Sequence, residues 1–134
     1  MERKLIYVAS PYGAPDQDGI DANLLFVKEA GRAVIAAGHT PVIVHLVYPA
    51  LLDDAVPEQR ALGIQMDFQL LDNCDVLAYY VHKGVSNGMD QEIRRALEKG
   101  IPVYRLPRIG GTPVRVRDTA EYEDLLHADR KGRD

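Results

Sequence analysis

The chain has 134 residues, 46% apolar and 27% charged, which argues for one ordinary globular domain and against a disordered chain. Sixteen lysines and arginines against 20 aspartates and glutamates leave a formal net charge of −4. That argues against duplex nucleic acid as a partner, because binding to a phosphate backbone needs a basic surface.

Two hydrophobic periods alternate along the chain. Residues 4–9 (KLIYVA) form a short apolar run, the first predicted strand. Pro11, Gly13, Pro15 and Gly19 then mark a loop. Leu24, Val27, Gly31, Val34 and Ile35 recur at helical spacing and predict a helix over 21–37, stopped by Gly38. Residues 41–44 predict strand two, followed by a loop holding His45, Tyr48, Pro49 and Pro57. A helix is predicted over about 58–73, strand three over 75–80, a helix over 89–99 ended by Gly100, and strand four over 101–106. A fifth strand near 114–116 and a short helix over about 119–127 complete the reading, with a charged, frayed end at 129–134.

Short strands alternating with longer helices imply right-handed βαβ units around a parallel sheet. The expected fold is α/β, a flavodoxin-like or Rossmann-like three-layer sandwich with four to five strands in the order 2-1-3-4(-5). Residues 1–110 form the expected domain. Residues 111–134 are read as a charged C-terminal tail with a short helix.

Several functions are disfavoured. No apolar run approaches the ~18 residues needed to span a bilayer, so no membrane role is expected. The apolar run after the charged start is too short for a signal-peptide core. Cys74 stands alone and can make no internal disulfide; the expected setting is the reducing cytoplasm. His39, His45, His82 and His127 share no metal-ligand spacing, and neither a metal nor a cofactor is expected.

In sheets of this kind ligands bind beyond the carboxyl ends of the strands. Three loops leave those ends: Ser10–Gly13, the segment opening with His45, and residues 82–88. Two carboxylates stand out beside them. On the wheel of the 58–73 helix, Gly63, Met66, Leu70, Leu71 and Cys74 form an apolar stripe, and Asp67 falls inside it. A carboxylate there must be hydrogen-bonded or hold its proton. It is either a structural aspartate capping a loop or a general acid. On the next helix Glu92 flanks the stripe of Met89, Ile93, Ala96 and Leu97. It is either a surface glutamate paired with Arg95 or a nucleophile beside the anion-binding opening Ser86-Asn87-Gly88. Arg60 and Lys83 are either phosphate neutralisers or ordinary exposed cations. His45 is either a ligand contact or a solvated turn residue, and Cys74 reads as a small buried hydrophobe.

Three segments resemble the nucleoside 2-deoxyribosyltransferase superfamily, which includes 2′-deoxynucleoside 5′-monophosphate N-hydrolases. Ile6-Tyr7-Val8-Ala9-Ser10-Pro11 is similar to the family's I-Y-x-A-x-P. Asp67, eight residues before Asp75, resembles its pair of aspartates. Ser86 to Ala96 resembles S-x-G-x-x-x-E-x-x-x-A. The resemblance spans residues 4 to about 106. It implies that Glu92 attacks the anomeric carbon, that Asp67 protonates the departing base and that Tyr7 orients Glu92. Ser86 with the amides of Asn87 and Gly88 would hold the 5′ end of the substrate. Ser10, Pro11 and Tyr12 would lie against base or sugar, with His45 a further candidate contact. Asp75 reads as structural.

The implied activity is cleavage of the N-glycosidic bond of a nucleoside or nucleoside 5′-monophosphate, with hydrolysis favoured over transfer. Transferases of the family often carry an aspartate where Ser86 stands, and a hydroxyl suits a phosphate better. Asp90 would add an opposing negative charge nearby. The alternatives are a 2-deoxyribosyltransferase proper and a nucleotide-binding module without turnover. A homodimer or larger homo-oligomer is implied by the resemblance.

Overall fold

The computed structural model describes residues 2–131. Five strands form one sheet: β1 (Leu5–Ala9), β2 (Thr40–Val42), β3 (Val76–Tyr80), β4 (Val103–Leu106) and β5 (Val114–Val116), ordered β2-β1-β3-β4-β5. The first four are parallel, and β5 runs antiparallel to β4. Four helices cover the sheet: α1 (Gln17–Ala36), α2 (Pro57–Asp72), α3 (Asn87–Glu98) and α4 (Thr119–Lys131). This is the expected α/β sandwich and strand order, with the fifth strand reversed.

Strand alternation divides the core into two layers. Tyr7, Ala9, Leu77 and Tyr79 face α2, α3 and α4 and pack with Leu71, Met89, Ile93 and Tyr122. Val8 and Tyr80 point the other way and pack with Val27, Ala30 and Val34 of α1. That alternation decides the chemistry below, because it turns Tyr7 toward α3.

The helix ends explain most boundary differences. Gly38 and Gly100, expected as stops, have φ of +92° and +73°, the left-handed conformation that glycine adopts at low cost after a helix. At the other end α1 begins four residues before the predicted 21. Asp16 caps it, accepting from the Gly19 amide at 2.8 Å. Gly19 thus sits in the first turn rather than in the loop. A Cβ there would lie 2.5 Å from Ala14 Cβ, so close packing, not chain reversal, explains this glycine. Asp75 precedes β3 and clips the start of β1: its Oδ2 accepts from the Leu5 amide at 2.8 Å.

The segment beyond residue 110 joins the fold through β5 and through Tyr122 and Leu126 of α4, both in the core. Asp129, expected in a frayed end, lies within α4 and pairs with Arg105 of β4. The rest of that expectation, residues 132–134, lies outside the described residues. Another difference concerns α2. Leu71 and Cys74 are buried as the stripe predicts, but Leu70 is 38% exposed. No helix among the described residues is long and apolar enough to cross a membrane.

Candidate active site

A cavity of about 430 Å³ opens beyond the carboxyl ends of β1, β2 and β3. Glu92 and Asp67 both line it. Ser10, Tyr12, His45, Ser86, Asn87 and Gly88 line it too. Tyr7 lies beneath, fully buried, and reaches the cavity only through Glu92. Pro11 is not brought into this cavity; it lines a neighbouring one.

Glu92 is 7% exposed on the inner face of α3. The Tyr7 hydroxyl donates to Glu92 Oε2. The surface-pair reading fails because Arg95 is engaged elsewhere. Its guanidinium donates to both oxygens of Asp72 at 2.8 and 2.7 Å and lies over the Phe68 ring. Burial pushes the Glu92 carboxyl up to about 8; the Tyr7 hydrogen bond opposes that shift, and the Asp67 charge adds to it. Burial and the Glu92 charge hold the Tyr7 phenol far above its ordinary range, so Tyr7 stays a donor.

Asp67 is half-buried, one turn before Leu71. Its Oδ1 is buried and has no hydrogen-bond partner among the described residues. The loop-capping reading has no support in the hydrogen bonds of those residues. Burial raises the carboxyl to about 6, helped by the charge of Asp54. Two acids in one cavity are therefore shifted upward and coupled to each other. Ser10 Oγ is a second buried polar atom without a partner among the described residues. Both residues line the cavity, and each keeps a buried polar atom without a partner among the described residues.

Ser86 caps α3 and accepts from the Met89 amide at 3.2 Å. Its hydroxyl proton remains available, and the first amides of the helix have no intrahelical acceptor. Asp90, whose charge was expected close by, turns away toward α4. It accepts from Arg94 Nε at 3.1 Å and from the Tyr122 hydroxyl at 2.5 Å. The helix opening therefore faces the cavity without that carboxylate on its wall.

His45 belongs to a 3-10 turn (Val44–Leu46), its Nε2 lies 3.1 Å from Ser10 O, and its ring packs on Tyr12 at 5.2 Å. Burial lowers its pKa and favours the neutral ring, against the opposing pull of the Ser10 carbonyl and the Asp54 charge. Arg60 lines the same cavity. Lys83 does not: it lines the neighbouring one and donates to Asn23 Oδ1 at 2.8 Å. Tyr48, in the loop that opens with His45, lines the cavity; sequence reasoning missed Asp54, Phe68 and Gln91 on the wall. Asp54 lies in a polar loop where nothing in the local pattern separates it from Asp53. Phe68 is adjacent to Asp67, and its aromatic ring was the one available signal.

Residues 4–106 match the family model described as Domain of unknown function (DUF7768). The chain belongs to this family. The DUF7768 match covers all three segments that form the cavity loops, and it stops before β5 and α4. A 2-deoxyribosyltransferase from the psychrotolerant bacterium Bacillus psychrosaccharolyticus has a similar structure, with a TM-score of 0.61 at 20% identity. The alignment covers 76% of this DUF7768 chain and 71% of that enzyme. At that identity the likeness is one of fold. No curated protein matches the chain.

Proposed function

We propose that this chain cleaves the N-glycosidic bond of a deoxynucleoside or its 5′-monophosphate through Glu92, with water as the final acceptor. The observation that carries the reading is the pair of carboxyls on one cavity, Glu92 held by Tyr7 and Asp67 with no partner at Oδ1 among the described residues. The shared fold of the 2-deoxyribosyltransferase supports it.

Breaking a C1′–N bond leaves positive character on the sugar and an electron pair on the base. In the first step the Glu92 carboxylate forms a bond to C1′. The C1′–N pair leaves with the base, and the Asp67 proton goes to a base nitrogen. In the second step water adds to C1′, Asp67 takes its proton, and the Glu92 carboxylate departs. Two carboxyls thus divide nucleophile from acid, as in retaining glycoside hydrolysis. Ser86 with the amides of Asn87 and Gly88 holds the 5′ end, and Tyr7 keeps Glu92 aimed and ionisable. Tyr12, His45 and Ser10 border base or sugar. Incubation with a panel of deoxynucleosides and their monophosphates, read for free base, tests the reading; release of base from none of them sinks it.

Gly88 supplies a sharper check. It stands in the first turn of α3, and a Cβ there would meet nothing within 4 Å. The fold does not require glycine, and alanine is the better helix former. Gly88→Ala should leave the melting temperature unchanged or slightly raised. Under this reading it should raise KM about tenfold, because the methyl occupies space that a 5′ group approaches. A KM equal to wild type would remove Gly88 from the 5′ subsite.

The reading also takes the chain as a homodimer. Val47, Leu51 and Leu62 are 50, 69 and 46% exposed, on the two segments that also bear the cavity residues His45, Tyr48 and Asp67. A second copy would cover these side chains. Sedimentation should give twice the chain mass, and Leu51→Glu with Leu62→Glu should give the monomer; a wild-type monomer at micromolar concentration contradicts this. A nucleotide substrate and a lone buried thiol, Cys74, both suit the cytoplasm.

A further inference from the structure

Beside the first cavity lies a second, of about 600 Å³. Gly13 and Ser86 line both, so the two spaces meet at the point where the proposed reaction seats the 5′ end. The second cavity is lined in its apolar part by Pro11, Pro15, Val85 and Leu126, with Ala14. It also holds two charged residues in very different states. Asp129 is bound by Arg105, and both are largely shielded, at 17 and 18% exposure. Its charge is neutralised. Lys83 makes no ion pair with a carboxylate among the described residues. It is held instead by a neutral group, donating to Asn23 Oδ1 at 2.8 Å.

Asn23 is only 4% exposed. Its Nδ2 donates to Tyr12 O at 2.9 Å, inside the loop that borders the first cavity. One buried amide therefore ties α1, the loop after β1 and the lysine together. Lys83 is itself exposed; an exposed lysine needs no such anchor, and fixing one costs side-chain entropy. An ammonium has three donors and Asn23 takes one. Two donors and a positive charge without a carboxylate partner among the described residues remain, on an exposed lysine that lines a cavity whose only acid among its lining residues is already paired.

We propose that the second cavity binds the terminal phosphate of a nucleoside 5′-diphosphate, with Lys83 as its cation and Ser86 at the junction with the first phosphate. The inference rests on the cleavage reading for the placement of the 5′ end. Asn23 is a positioning residue in it, acting through Lys83. A deoxynucleoside monophosphate leaves the second cavity empty; a diphosphate spans both.

The test compares free-base release from matched deoxynucleoside 5′-mono- and 5′-diphosphates, for wild type and Lys83→Met. Wild type should favour the diphosphate about tenfold or more in kcat/KM, the scale of one charge-assisted phosphate contact. In Lys83→Met that ratio should fall to about one. A wild-type ratio near one, or a ratio unaffected by Lys83→Met, overturns the second subsite while the cleavage reading stands. If neither substrate releases base, the cleavage reading fails, and equilibrium dialysis of the same two proteins with radiolabelled deoxynucleoside diphosphate decides the cavity. Retention by wild type that is lost in Lys83→Met supports it. No retention overturns both.

Discussion

Glu92→Gln is expected to abolish base release while making the protein more stable. The amide keeps the size of the carboxyl and can still accept from Tyr7, so the cavity keeps its shape. It cannot form the bond to C1′, and kcat should fall about a thousandfold or more. The stability gain follows from the pKa. The folded-state value, about 8, lies above the ordinary value of 4.5. Below pH 4.5 the group is protonated in both folded and unfolded chains, and its burial is tolerated. As pH rises toward 8 the unfolded chain ionises freely while the folded chain resists, so stability is lost across that window. Glutamine has no proton to lose. The variant should therefore match wild type near pH 4 and exceed it at pH 8 by on the order of 4 kcal/mol. Urea unfolding at the two pH values measures this. Equal stability at pH 8 would mean that Glu92 carries no burial penalty in the folded protein.

The second large effect is expected at Asp67. Its carboxyl is raised to about 6 and that of Glu92 to about 8, and each charge disfavours the other. Between those values the pair holds one proton, and the two steps belong to the pair rather than to either residue. The working form is the minor arrangement of that single proton, with Glu92 ionised and the proton on Asp67, because the higher value at Glu92 places the proton there more often. kcat/KM for wild type should accordingly follow a bell with limbs near 6 and 8. Asp67→Asn removes the acid and should lower kcat about a hundredfold or more on an ordinary purine. It should also remove the alkaline limb, leaving activity that rises with pH to a plateau. A substrate with an N7-methylated purine leaves without needing a proton, so its loss should be far smaller. Equal losses on the two substrates would assign Asp67 a role in shape or binding instead.

Much of this architecture was legible because its signals are local. Gly38 and Gly100 mark helix ends, short apolar runs mark strands, and the alternation of the two implies βαβ units. The start of α1 was less visible, because Gly19 signals a loop equally well. The region after residue 110 was also hard to read. The three residues of β5 were legible as a short run near 114–116, but their antiparallel direction was not, because it depends on how the chain returns past β4. Tyr122 and Leu126 show their value only once packed on Tyr79 and Ile93.

The candidate site divides along the same line. Asp67 stood out because its helix wheel is local. The burial of Glu92 did not, because its partner Tyr7 is 85 residues away in sequence. The wheel places Glu92 only at the edge of a stripe, and what covers that edge is a different element. Asp90 was misread for the same reason: the Tyr122 hydroxyl that turns it away is 32 residues distant. Asp54 offers no local signal at all, yet its charge helps to raise Asp67.

A covalent sugar on Glu92 is the consequence that other mechanisms do not share. Wild type mixed with a deoxynucleoside monophosphate, acid-quenched within milliseconds and examined by intact and peptide mass spectrometry, should carry one deoxyribosyl phosphate on the peptide containing Glu92. The adduct should be absent from Glu92→Gln. Base released by wild type with no adduct at any quench time, or an adduct on a different residue, would contradict the account.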